Sequence, residues 1–368
     1  MIDNTIKNLI ILSITPYFGN TRFVKAKENN FDFNEIINSP SKYIKTLSLR
    51  QESIDFLNQR KYLEYLDKVS KWLDSSGKNQ IITYLDNRYP SDLKQISNPP
   101  LILYCSGNSD LLNSQQLAIV GARNHSSYGK NVTAKLCADL KDSKLTIISG
   151  LAYGIDTLAH KYAIDNNLST IAVVGTGVDV VYPSSNRELY NKIINTNGLI
   201  ISEFPLGTGP LRYNFPQRNR IISGLSKGVV MVEAASKSGS LITAELALEQ
   251  NKEVFAIPGS IFSTTSQGCN QLIKQGAKLV CNVNDILEEI DIASNTSQTS
   301  STDNQVNKII SLNKSERIIL GSIDRELTTI DKIIIKSKLP YNQVTSILFE
   351  LELKSLIESI PGGYINIQ

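Results

Sequence analysis

Between residues 81 and 290, short apolar runs alternate with helical patterns, and that alternation restricts the fold more than any other feature of this chain. The runs are Ile81–Tyr84, Leu101–Cys105, Leu117–Val120, Thr146–Ser149, Thr170–Val174, Leu199–Ser202, Val229–Val232 and Val254–Ile257. Apolar residues recur at helical spacing in Lys130–Lys141, Gly154–Asn166, Glu188–Thr196, Ile242–Gln250 and Asn270–Gln275. Short strands lacking polar alternation are buried on both faces, and the helices between them supply the cover. The expectation is an α/β domain, a doubly wound parallel Rossmann-like sheet over 81–290.

Two flanks differ from this centre. Residues 1–80 read as helical, with apolar residues recurring through Ile6, Leu9 and Ile10 and again through Ile54, Leu57, Leu63, Leu66 and Val69. Gly19–Asn20 marks a turn, and Asn34 is a candidate cap for a helix carrying Ile36 and Ile37. Residues 291–308 are almost wholly polar and read as a flexible linker. Beyond it, 309–368 offers helices at Ser315–Ile323 and Thr329–Ser337. The apolar face Val344, Ile347, Leu348 and Leu351 marks a third helix, and a hairpin turns at Pro361–Gly362–Gly363. Three helices and a β-wing make a winged helix-turn-helix. Its charges do not favour duplex DNA. Seven Lys/Arg are balanced by seven Asp/Glu, and the third helix carries Glu350 and Glu352. Protein docking is at least as good a reading of that module.

Composition narrows the class. With 368 residues, 41% hydrophobic and 20% charged, the chain is an ordinary globular protein of two or three domains. A formal net charge of +3 requires any nucleic-acid binding to come from a local basic surface. Cys105, Cys137, Cys269 and Cys281 lie far apart, and with His125 and His160 they complete no metal-ligand spacing. Buried free thiols in a reducing cytoplasm are expected. The apolar run Leu9–Ile14 is too short to span a bilayer, so no membrane attachment is expected.

The segment Arg212–Arg220 bears most directly on function. It holds Arg212, Arg218 and Arg220 with Phe215 and Asn219, and no acid. Guanidinium groups hold phosphates while a planar ring stacks on a base, and stacking tolerates any sequence because every base has a π-face. Pro216 predicts that the middle of this segment is neither regular helix nor strand. In a doubly wound sheet, ligands gather at the carboxyl ends of strands. Four such ends carry small residues there. They are Gly121–Ala122–Arg123, Ser149–Gly150, Gly175–Thr176–Gly177, and Ser236–Lys237–Ser238–Gly239–Ser240. Each alone is explained by a tight turn; together they predict a phosphate-accepting rim to which Arg123 and Lys237 add charge. Val180 stands where a third glycine would complete a dinucleotide fingerprint, and no P-loop is present, so no cofactor is expected. Arg218 or Arg220 is open to a structural role instead, paired with Glu203 or Glu233. Asp156 and His160, four apart on one helix, read as a packing or capping pair.

These motifs resemble the DprA/Smf family of DNA-processing proteins. The matching segments include Asp86–Asn87–Arg88–Tyr89–Pro90, Val120–Gly121–Ala122–Arg123, Ser149–Gly150–Leu151–Ala152–Tyr153–Gly154–Ile155–Asp156, Ser202–Glu203–Phe204–Pro205, Phe215–Pro216–Gln217–Arg218–Asn219–Arg220 and Ala256–Ile257–Pro258–Gly259. The resemblance covers about 81–280. By pattern alone, the N-terminal segment is similar to the family's SAM-like domain and the C-terminal one to its winged helix. What the resemblance implies is a non-enzymatic homodimeric mediator of natural transformation that coats and protects incoming single-stranded DNA and helps load the RecA recombinase. It also implies strand contacts at Arg123 and at Arg212 with Phe215. The family often has lysine at the Arg212 position, a change a phosphate tolerates. Read together, residues and resemblance assign the strand to Gly121, Arg123, Ser149, Gly150, Arg212, Phe215, Arg218, Asn219, Arg220 and Lys237. Three to five phosphates neutralised per subunit give a log–log salt slope of about −2 to −3.5.

Two other classes compete. A nucleotide N-ribosyl hydrolase on a lysine-decarboxylase-like Rossmann fold needs a catalytic Glu in a Pro-Gly-Gly-x-Gly-Thr-x-x-Glu segment. Here that position holds Thr243 and the Pro-Gly-Gly is absent, leaving no charge to stabilise an oxocarbenium-like transition state. A duplex-binding transcription regulator is disfavoured by the neutral C-terminal module.

Overall fold

The computed structural model describes residues 3–290, 313–324, 327–354 and 356–366. Of these, residues 3–125 with 133–290 form one compact unit, and the C-terminal module lies in a second. The expected linker at 291–308 falls outside the described residues.

The first unit is built on a nine-stranded sheet. Its strands are β1 Asn79–Thr83, β2 Ile102–Gly107, β3 Gln116–Val120, β4 Thr146–Ser149, β5 Thr170–Val173, β6 Leu199–Ser202, β7 Gly228–Met231, β8 Glu253–Ala256 and β9 Lys278–Leu279. They lie in the order β1-β2-β6-β5-β4-β3-β7-β8-β9. From β6 to β9 every neighbour is parallel. The order reverses beside β3: the chain steps through β4, β5 and β6 on one side, then returns to lay down β7, β8 and β9 on the other. That reversal is the switch point of a doubly wound sheet, where strand ends open a crevice.

At one edge the parallel sheet gains antiparallel neighbours. Strands β1 and β2 pair antiparallel with each other, and β2 pairs antiparallel with β6. The link between β1 and β2 holds only one short helix, α7 Ser91–Lys94, too short to carry the chain back along a strand.

Among the described residues six α-helices precede the sheet: α1 Asn4–Ile14, α2 Asn20–Glu28, α3 Phe33–Asn38, α4 Ile44–Leu47, α5 Gln51–Asn58 and α6 Leu63–Asp74. Asp3 caps α1 by accepting from the Thr5 N–H at 2.9 Å. Asp32 caps α3 through the Asn34 N–H at 2.9 Å, so Asn34 lies inside that helix rather than capping it. These helices share one core with a face of the sheet, where Leu9, Leu12, Leu57 and Val69 pack with Ile81, Tyr104, Ala172 and Ile200. Polar contacts fix the seam: the Tyr65 and Tyr104 hydroxyls lie 2.9 Å apart, and the Leu206 N–H donates to Tyr65 at 2.9 Å.

The helices between β3 and the C-terminal module are α8 Ser127–Asp139, α9 Ile155–Asp165, α10 Arg187–Asn195, α11 Asn214–Leu225, α12 Leu241–Glu249, α13 Gln267–Lys274 and α14 Asn284–Leu287. Residues of α11, α12 and α13 cover the second face, with Ile221, Leu225, Ala244, Ala247 and Leu272 on Leu103, Ile148, Val173 and Val229. Cys105, Cys137 and Cys269 are buried free thiols pushed up to about 12 by desolvation, whereas Cys281 is exposed, against expectation.

The C-terminal module has helices Lys314–Leu320, Ile330–Ser337 and Tyr341–Leu353, then the hairpin β10 Ile357–Ile360 and β11 Gly363–Asn366. Asn313 and Glu316 form a capping box on the first helix, and Thr329 caps the second. Ile319, Ile333, Val344, Leu348 and Leu351 form its core. The third helix turns Phe349, Glu350, Glu352 and Leu353 to solvent. Among the described residues no helix is long and apolar enough to cross a membrane.

Candidate nucleic-acid interface

Helix α11 organises the arginine segment. Pro216 is its third residue, contrary to the expectation that Pro216 would exclude a helix. The N–H groups of a first turn have no partner within the helix, so proline is tolerated there. With helical spacing restored, Arg218, Ile221, Ile222 and Leu225 fall on one buried face.

Arg218 therefore points inward. Its guanidinium donates to the carbonyls of Gly150 and Val173, and its Nε donates to Asn219 Oδ1 at 2.9 Å. The group is packed so closely on Gly150 that a Cβ there would lie 2.3 Å from an Arg218 nitrogen. Beside it lies the buried Asp156 carboxyl, facing the backbone N–H groups of Ala152 and Gly150. Burial pushes Asp156 above the usual carboxylate range, an effect Arg218 opposes. Burial also holds Arg218 down to about 10, with Asp156 opposing and Arg123 reinforcing.

Arg220 is also turned inward. It forms a two-pronged pair with Glu203 at 2.9 and 2.6 Å, both groups about nine-tenths buried. Burial raises the Glu203 carboxyl despite that partner. Of the acids considered as partners, Glu203 takes Arg220; Glu233 instead accepts from Thr265 Oγ1 at 3.2 Å.

These contacts revise five expectations. Arg218 and Arg220 are both structural, and neither offers its guanidinium to a phosphate. At the end of β4 the Gly150 N–H faces an internal anion, the Asp156 carboxyl, and the Ser149 hydroxyl donates to the Ile119 carbonyl at 2.7 Å. Gly121 is a packing glycine, since a Cβ would meet Ile155 at 2.8 Å. Asn219 lends its oxygen to Arg218. His160 bonds not to Asp156 but to the Thr170 hydroxyl at 2.7 Å. Thr170 donates onward to the Ile147 carbonyl at 2.9 Å, so His160 carries its proton on Nδ1, and its buried Nε2 finds no partner among the described residues. Desolvation, reinforced by Arg218, lowers His160 to about 3.

The outward set is smaller. Arg123 at the end of β3, Lys237 beyond β7 and Arg212 just before α11 are exposed. Phe215 is half-buried: it lies against Gly175, where a Cβ would meet the ring at 2.9 Å, and tilts over Tyr182 with centroids 5.5 Å apart. Asn214, overlooked in the sequence, anchors this corner by donating to the Gly175 carbonyl at 3.0 Å. Three further aromatics stand at the same strand ends, Tyr153, Tyr182 and Tyr213, the last 68% exposed. Their position in the loops after β4 and β5 and just before α11 was the signal available for them. The rim thus combines three exposed cations with a cluster of accessible rings.

The family profile for DNA recombination-mediator protein A matches residues 80–291, and that for the DprA winged helix domain matches 307–363. Protein Smf of Escherichia coli is 38% identical over 333 residues, covering 89% of this chain and 88% of its own. This chain belongs to the DprA/Smf family. DNA processing protein DprA of Streptococcus pneumoniae is 48% identical over 207 residues, 56% of this chain and 73% of its own. The solved structure of that DprA superposes with a TM-score of 0.65 at 37% identity, covering 78% of this chain and 98% of that one. DNA processing protein A from Helicobacter pylori, described for a unique single-stranded DNA binding mode, gives 0.52 at 33% identity over 57% of this chain and 94% of that one. Family membership accounts for the mixed α/β sheet and the winged helix together.

Proposed function

We propose that this protein binds single-stranded DNA along the carboxyl edge of its sheet as a non-catalytic recombination mediator of natural transformation. The observation that carries the reading is the outward rim: Arg123, Arg212 and Lys237 exposed beside the half-open ring of Phe215. Cations track the phosphates and the ring takes a base, a combination indifferent to sequence. The solved Helicobacter pylori relative, described for its single-stranded DNA binding, supports this choice of ligand. Protection of the strand, loading of RecA onto it, a homodimeric state and a cytoplasmic location complete the proposal, on the family resemblance. A binding role without chemistry agrees with the engagement of Asp156 and His160 inside the protein.

With Arg218 and Arg220 withdrawn, about three phosphates are neutralised per subunit, and the log–log salt slope on a single strand becomes about −2. Titrating fluorescent oligo-dT across a salt series, with equal-length duplex as competitor, tests the proposal. Salt-sensitive binding that duplex does not displace is the expected result. Absence of binding at low salt would send the reading to the nucleotide hydrolase, assayed on nucleoside monophosphates.

A further inference from the structure

Beyond β8 the chain makes a tight turn with an unusual cargo. The Ser263 N–H donates to the Ser260 carbonyl at 3.0 Å, and the Phe262 N–H donates to Ser260 Oγ at 3.3 Å. Ile261 and Phe262 thereby occupy the two corners, 78% and 91% exposed. Corner positions favour Gly, Pro, Asn, Asp and Ser for conformational reasons that neither residue satisfies. Isolated exposed apolar residues are common. Two adjacent ones on a turn held this firmly are not explained by the packing.

The turn is tied on every side. The Ala234 N–H donates to the Thr265 carbonyl at 2.7 Å, and Thr265 Oγ1 donates to Glu233 at 3.2 Å. The Asn270 side chain bonds both the carbonyl and the N–H of Gly259, at 3.0 and 3.2 Å. Glu233 and Ala234 begin the loop that carries Lys237, so this turn is fastened to the cationic rim.

We propose that Phe262 is a second stacking station for the single strand, across the switch point from Phe215. The proposal rests on the single-strand reading of the sheet edge. Phe215 sits over the end of β5, and the order from there is β4, β3 with Arg123, β7 with Lys237, then β8 with Phe262. At about 4.8 Å per strand, these four steps separate the stations by about 19 Å. A stacked strand rising about 3.4 Å per nucleotide covers that with about six nucleotides. Two cations between two rings suit a strand that crosses the crevice, its phosphates held in the middle and a base stacked at each side. An apolar contact with another protein would not require Arg123 and Lys237 on the same path.

The test uses the full chain and two oligonucleotides, the trinucleotide dT3 and the 15-mer dT15. The trinucleotide has only two internucleotide steps and cannot reach both rings. Phe262→Ala should weaken dT15 about 5- to 150-fold, the range of one lost base–aromatic stack. It should leave dT3 affinity and the salt slope unchanged. Phe215→Ala should weaken both oligonucleotides. Phe262→Trp, made with Trp72→Phe to remove background emission, should retain dT15 affinity and show quenching on binding. Wild-type dT15 affinity in Phe262→Ala would overturn the second station while leaving the first intact. A changed oligomeric mass by light scattering with unaltered dT15 affinity would also overturn it and make Phe262 a contact between copies. Failure of the wild-type protein to bind dT15 would instead overturn the underlying single-strand reading.

Discussion

Arg212 and Arg218 lie on one short segment and have opposite surroundings. Arg212 precedes α11 and is exposed; Arg218 is one turn in, sealed against Gly150, Val173 and Asp156, with Arg220 beside it gripping Glu203. The inward arginines hold the loops of β4, β5 and β6 to α11, and that bracing presents Arg212 and Phe215 at the edge. A basic cluster in a sequence is therefore not a basic surface. The same lesson holds for the C-terminal module, whose third helix offers solvent Phe349, Glu350, Glu352 and Leu353 rather than lysines. Its fold is one associated with DNA, but the carboxylates on this helix would repel a phosphate backbone.

The largest expected difference between the two sets is in stability. Arg218→Ala strands Asp156 and two carbonyls, and Arg220→Ala strands Glu203; each should cost about 3–5 kcal/mol in urea unfolding. Arg212→Ala should stay within about 0.5 kcal/mol of wild type. Equal losses at Arg212 and Arg218 would erase the distinction. On the binding side, Phe215→Ala should cost about 1–3 kcal/mol toward oligo-dT with the salt slope unchanged; unaltered affinity would show that Phe215 only packs on Gly175.

The inward set also has a pH signature. The folded-state pKa of His160 lies near 3, below its unfolded value, so the unfolded chain binds more protons between the two. Its contribution to stability is complete above pH of about 6.5 and is lost at about 1.4 kcal/mol per unit as pH falls toward 3. Urea unfolding of His160→Gln from pH 7 to 4 should show a shallower decline than wild type; parallel curves would assign the acid sensitivity elsewhere. The finest test is Arg212→Ala, which should flatten the salt slope by about 0.7 and leave thermal unfolding unchanged.

The sheet was legible because its strands are uninterrupted apolar runs; all eight anticipated strands are present, and β9, two exposed residues long, had no such run to read. The antiparallel pairing of β1 and β2 was hidden because an apolar run carries no direction. The site was half legible. Arg123, Arg212, Phe215 and Lys237 are placed by strand ends and glycines. The fate of Arg218 and Arg220 was obscured by treating Pro216 as a breaker; read as a first-turn proline, it puts Arg218 in register with Ile221, Ile222 and Leu225 and foretells burial. Nothing local revealed that the Gly150 N–H faces Asp156 or that the Ser149 hydroxyl is taken by the Ile119 carbonyl, since both contacts depend on how the loop and the neighbouring strand close.

The most direct test of the central claim is the salt dependence of oligo-dT binding with duplex in competition. The account predicts a log–log slope of about −2 and no displacement by duplex. Salt-independent binding, or equal displacement by duplex, would contradict it.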